Sequence, residues 1–213
     1  VHLTLVPYMK TSDELKTKPT QHSVQKLREI GIQPDILLCR TERKLSKPIK
    51  EKIALFCNVE ANSVITAMDV SSIYEVPIGL EKEGLCKIIL EKLGMKGKSP
   101  DLERWQKINQ ILKKPDGEVK IGIVGKYVDL KESYKSLTES LIHGGIGNNV
   151  RVNIDWVDAE ALEKEEGSVL LKSCDGVLVP GGFGDRGIEG KIKAVQFARE
   201  NKVPYFGICI GQK

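Results

Sequence analysis

Aromatic residues make up only 5% of the chain, too few for the stacking platforms that bind single-stranded nucleic acid. No dense Lys/Arg block accompanies the net charge of +4, so a nucleic-acid groove is not indicated. A mildly basic chain of this kind suits small anions such as nucleotides. No apolar run reaches the length of a membrane span. No charged segment followed by an apolar stretch marks a secretory signal at the first residues. The five cysteines, at positions 39, 57, 86, 174 and 209, form no C-x-x-C pair, which argues against both a zinc site and a disulfide framework. A soluble, cytoplasmic protein with reduced thiols and no metal site of its own is the expectation.

Charged residues at 29% and hydrophobic ones at 40% are ordinary for a globular chain, and 213 residues make one or two domains. Apolar runs that read as strands alternate with helical patterns. Such alternation predicts α/β architecture with parallel sheets and ligands at the strand C-terminal ends. Strands are predicted at 1–7, 33–40, 63–70, 119–124, 150–157, 175–180 and 203–208. Helices are predicted at 23–30, 44–58, 80–93, 101–112, 133–143 and 188–201. Glycine, proline and charge without a core mark 96–118 as an interdomain linker carrying one helix. The expected organisation is thus 1–95, a linker at 96–118, and 119–213, in two parallel-sheet αβα domains.

Three stretches carry chemistry. Val203-Pro-Tyr-Phe-Gly-Ile-Cys-Ile-Gly211 runs a buried strand into a cysteine flanked by small residues. That is the pattern of a nucleophile elbow, a strained turn that lifts one reactive side chain clear of its surroundings. A helix start just beyond the turn would favour the thiolate, the attacking form. The bland alternative for Cys209 is a buried structural thiol. Upstream, Asp175-Gly-Val-Leu-Val-Pro-Gly-Gly-Phe-Gly184 runs a second buried strand into a glycine loop. Backbone N–H groups at Gly181–Gly182 could hold an oxyanion. Near the front, Lys16-Thr-Lys-Pro-Thr-Gln21 places Lys16 and Lys18 just before a helix, where ammonium groups and helix-start N–H groups attract phosphate. Pro19 stiffens this run, and Thr20 and Gln21 add directional polar groups. Asp69-Val-Ser-Ser72 follows a strand and reads as a ligand-side loop. Gly122-Ile-Val-Gly-Lys126 is two residues short of a phosphate loop and reads as a strand-end turn.

With Lys16 to Ser23, Gly31-Ile-Gln-Pro-Asp35, Lys52 to Cys57, Asp69 to Tyr74, Val124 to Tyr127, Val179 to Gly184 and Gly207-Ile-Cys209 taken together, the chain resembles the CTP synthases over essentially its whole length. The resemblance implies an ATP-dependent, glutamine-hydrolysing ligase that aminates UTP to CTP, is activated by GTP and inhibited by CTP, and forms homotetramers and filaments. It implies a P-loop-type amidoligase domain represented by its C-terminal part at 1–95, and the N-terminal part of a class I glutamine amidotransferase domain at 119–213. Cys209 would be the nucleophile, with Gly181, Gly182 and Ile210 at the oxyanion and glutamine. Lys16, Thr17, Lys18, Pro19, Thr20, Gln21 and Lys52 would bind UTP or CTP. Met68, Asp69 and Val70 would meet the ATP adenine, Met68 standing where the family often carries lysine. Phe183 and Arg186 would meet GTP. The ligands of Mg2+ would lie outside the chain, which is read as an inactive fragment. A free-standing class I glutaminase and a non-catalytic nucleotide-binding module are the alternatives.

Overall fold

A computed structural model describes residues 1–126, 128, 131–164, 167–182 and 186–212. The chain divides into two compact units, Val1–Asn109 and Gln110–Lys213.

The first unit is built on a parallel sheet of β1 (His2–Leu5), β4 (Leu37–Thr41) and β5 (Val64–Met68), in the order β1-β4-β5. Between β1 and β4 come a small antiparallel hairpin, β2 (Tyr8–Met9) with β3 (Glu14–Leu15), and helix α1 (Lys18–Glu29). α2 (Lys47–Cys57) joins β4 to β5, and α3 (Val76–Lys82) and α4 (Leu85–Lys92) follow β5. Apolar residues at alternating strand positions split the core between two faces. Val24 of α1 and Ile53, Ala54 and Cys57 of α2 pack with Leu37, Cys39 and Val64 on one face. Ile88 of α4 packs with Ile36 and Ile65 on the other. Leu37, Ile53 and Ile65 are fully buried, and each such side chain contributes about 1.5–3 kcal/mol. β1 lies at the sheet edge, with Leu3 and Leu5 largely exposed.

α5 (Glu103–Lys113) follows, and the division between units falls inside it. Its first half belongs to unit one: Trp105 stands against Tyr74, and Asn109 Nδ2 donates to the Tyr74 carbonyl at 2.7 Å.

The second unit is a four-stranded parallel sheet in the order β7-β6-β8-β9, with β6 at Gly117–Gly125, β7 at Val150–Asp158, β8 at Gly176–Val179 and β9 at Tyr205–Gly207. Every residue of β8 is buried, as expected of a central parallel strand. α7 (Ala159–Leu162) and α8 (Ile188–Glu200) share one core with β6, β7 and β8. The opposite face receives α6 (Lys135–Gly147). Both units therefore have α/β character with all-parallel main sheets.

Several elements differ from expectation. α1 starts at Lys18, five residues before the predicted start, because Pro19 fits the first helical turn. The predicted helix 80–93 is two helices, broken at Glu83–Gly84. α6 runs on through Gly144–Gly145, where a helix end is predicted. A Cβ on Gly145 would stand 2.7 Å from the Val150 carbonyl oxygen, so this glycine serves close helix–strand packing. Gly117 and Glu118, assigned to the linker, belong to β6.

Candidate functional site

In each unit the parallel order places the strand C-terminal ends along one edge, and the chemistry-bearing residues gather there.

In the second unit the chain leaves β8 at Val179 and reaches Gly181–Gly182, while the neighbouring strand β9 ends at Gly207, two residues before Cys209. Ile208 N donates to the Val179 carbonyl at 2.9 Å, which holds the two strand ends together. Cys209 then adopts φ = 56°, a left-handed conformation that is costly for a residue with a Cβ. A nucleophile elbow uses a strained turn of this kind. The strain is held by its surroundings: Gly211 N donates to the Ile208 carbonyl at 3.0 Å, and the Tyr205 hydroxyl donates to the Gly211 carbonyl. Burial raises the Tyr205 pKa, so the donor keeps its proton. Cys209 is exposed, in contrast to the buried Cys39, Cys57 and Cys174, whose thiols burial pushes up in pKa, Cys57 to about 11. The segment after Cys209 is a 3₁₀ turn, Cys209–Gln212, which includes Ile210.

Gly181 lies directly against the elbow. A Cβ on it would meet Cys209 Cβ at 3.2 Å and Sγ at 4.0 Å. The Gly181 and Gly182 N–H groups donate no hydrogen bond among the described residues. Backbone donors of a loop beside the thiol are what an oxyanion requires.

Sequence reasoning missed Lys191, on the first turn of α8. It is buried, and a Cβ on Gly182 would stand 3.5 Å from its Nζ. Burial, and then the charge of Lys126, hold its pKa below the ordinary lysine value, while Cys209 pulls the other way. Lys126, set aside on sequence as part of a strand-end turn, is a buried residue just beyond β6. Charge on a helix of mixed polarity gives no signal of burial, so no sequence pattern singles out Lys191. Arg186 donates from Nη2 to the Lys126 carbonyl at 2.9 Å and pairs through Nε with Glu160 Oε1 at 2.8 Å. Phe183 lies outside the described residues.

In the first unit, Lys16 and Lys52 come together around Glu14, another residue that sequence reasoning missed. Lys16 Nζ pairs with Glu14 Oε2, and that bond, with a further contribution from the Lys52 charge, holds the Glu14 carboxyl below its usual range. Lys18 and Pro19 are exposed on the first turn of α1, and the buried Thr17 precedes it, accepting from Gln21 Nε2 at 3.1 Å. Thr20 departs from expectation. Its hydroxyl is fully buried and donates to the Leu5 carbonyl at 3.0 Å, beside Thr4 Oγ1 at 3.1 Å. That side chain fastens α1 to β1. Met68, Asp69 and Val70 are exposed at the end of β5. Asp69 N donates to the Thr41 carbonyl, and its carboxylate pairs with Arg40 Nε at 2.8 Å, tying this segment to the end of β4.

Residues 129–213 match the family model of class-I glutamine amidotransferases, and residues 1–95 match that of the CTP synthase N-terminus. The two matches fall one on each unit, and the similarity to CTP synthases runs through the whole chain. The CTP synthase of Ruminiclostridium cellulolyticum is 57% identical over 213 residues, 100% of this chain and 40% of the relative. That of Geotalea uraniireducens is 59% identical over 214 residues, with the same coverage. Among solved structures, the glutaminase domain of Trypanosoma brucei CTPS with bound acivicin is 44% identical, covering 44% of this chain and 37% of that one, with a TM-score of 0.42. The chain spans about 40% of the length of these two CTP synthases. The synthase match is described as the N-terminus, and it does not carry the finer expectation that 1–95 is only a C-terminal part of an amidoligase domain. Among the described residues, no helix is long and apolar enough to cross a membrane.

Proposed function

We propose that the chain forms part of a CTP synthase in which Cys209 releases ammonia from glutamine and the first unit helps bind the UTP that receives it. The observation that carries this reading is Cys209, exposed and held in a left-handed elbow against Gly181–Gly182.

The Cys209 sulfur attacks the glutamine amide carbon, and the carbonyl π pair moves onto oxygen. The N–H groups of Gly181, Gly182 and Ile210 hold that oxyanion. When it collapses, the C–N bond breaks, the thiol proton ends on the departing nitrogen as ammonia, and a thioester remains for water to cleave.

In the first unit, Lys16, Lys18 and Lys52 attract the UTP triphosphate, or CTP as inhibitor, with Thr17 and Gln21 beside them. Phosphate would displace Glu14, whose exposed pairing with Lys16 is weak. Met68, Asp69 and Val70 border the ATP base, and Arg186 with Phe183 lies toward the GTP activator. Residues 1–95 supply the later part of the ATP-dependent domain. The residues that would hold the Mg2+ accompanying ATP lie outside this chain in this reading. A cytoplasmic homotetramer, extending into filaments, is the assembly this reading entails.

The test is made on the full-length protein. Cys209→Ala abolishes CTP formation from glutamine and leaves CTP formation from added ammonia. Equal loss of both would overturn the assignment.

A further inference from the structure

We propose that Lys191 is the fixed positive charge of the glutaminase site, a buried ammonium that stabilises and positions the anions formed at the Gly181–Gly182 loop. Those anions are the Cys209 thiolate and then the tetrahedral oxyanion on the substrate amide. The inference rests on Cys209 being the nucleophile.

Lys191 is 6% exposed. A lysine this deep ordinarily has a carboxylate or several acceptors around its ammonium, because an unpaired buried charge is costly. Among the described residues the Lys191 ammonium has neither hydrogen bond nor ion pair. It is instead aimed at the site. Its Nζ borders Gly182, whose chain neighbour Gly181 borders Cys209 Cβ. One Gly-Gly step therefore separates the ammonium from the reactive thiol.

The charged groups facing Lys191 do not neutralise it. Lys126, beyond β6, repels it, and among the described residues Cys209, beyond β9, is the group that attracts it. From α7, packed against the start of α8, Ala159 meets Gly187 and Gly190, while Glu160 is turned to Arg186. The edge where β6, β8 and β9 end thus holds two buried ammonium groups, with no carboxylate paired to Lys191 among the described residues. An anion generated at Cys209 or on the bound amide is the counter-charge that Lys191 lacks among the described residues. Lys191 keeps its proton throughout and acts as a positioning residue through the loop.

The test compares alkylation of Cys209 by iodoacetate and by iodoacetamide in the full-length protein, read by mass spectrometry of the peptide containing Cys209. Both reagents meet the same thiolate. Their rate ratio therefore cancels thiolate fraction and access and reports local charge. Lys191→Met lowers the iodoacetate-to-iodoacetamide ratio roughly five- to tenfold, and Lys191→Arg preserves most of it. A Lys191→Met ratio within about twofold of the parent overturns the proposal. Where the methionine variant does not fold, Lys191→Gln is read against Lys191→Arg, and equal ratios in the two overturn it. Failure of a glutamine-like diazoketone to label Cys209 would overturn the nucleophile assignment instead.

Discussion

Replacing Glu83 by glutamine tests what ties the candidate nucleotide segments of the first unit together. One carboxylate oxygen, Glu83 Oε2, accepts from Lys50 Nζ of α2 and from the backbone N–H of Thr66 in β5, the latter at 2.9 Å. Both side chains are largely shielded, at 23% exposure for Lys50 and 17% for Glu83. Burial alone would raise the Glu83 pKa, but the bonds from Lys50 and Thr66 outweigh it and hold the carboxyl below its usual range. Glutamine can still accept from Thr66, yet it leaves Lys50 half-buried without a counter-charge. A charge-assisted bond of this kind contributes about 1.5–3 kcal/mol. Relief of the carboxylate's own desolvation returns on the order of 1 kcal/mol. The net cost is about 0.5–2 kcal/mol. With a urea slope near 1.2 kcal/mol/M for a unit of this size, the midpoint falls by roughly 1 M. Lys50→Met added to Glu83→Gln recovers part of the loss by removing the stranded charge. Because the folded pKa is lowered, this stabilisation is present above the ordinary carboxylate range and fades as pH falls through the folded value. The gap between parent and variant therefore closes below about pH 4. An unchanged midpoint at neutral pH, or a gap that persists in acid, refutes the reasoning.

Gly181→Ala places a methyl 3.2 Å from Cys209 Cβ. Glutamine-dependent turnover falls at least about tenfold, while ammonia-dependent turnover and the melting temperature hold. Equal loss of both activities would show a structural defect instead. Thr20→Val removes the hydroxyl bond to the Leu5 carbonyl, costing about 1–2 kcal/mol by thermal melting, and leaves UTP affinity unchanged. Unchanged stability with lost UTP binding would put that hydroxyl in the site after all.

Much of the architecture was legible in the residues. The all-buried β8 reads as a continuous apolar run, and the elbow and glycine loop read from Gly207-Ile-Cys209 and Gly181-Gly182, because local backbone demands leave small residues at fixed positions. Boundaries were less legible. Gly145 lies inside α6 because β7 passes close by, a contact that no local pattern records. Thr20 belongs to a polar run that invites a ligand, yet its hydroxyl points into the core, a matter of helix phase against β1.

By itself the sequence determined two α/β units and the places where a thiol, a glycine loop and a basic run occur. Propensity, spacing and backbone sterics act over a few residues and are written in their order. Only the tertiary structure decided which distant charges meet. Strand order β7-β6-β8-β9 brings the end of β9 beside the end of β8, and the burial of α8 turns Lys191 toward Gly182. A lysine on a helix carries no mark of the side it will face. That is settled when the helix buries its apolar stripe, and the charge at the site is fixed with it.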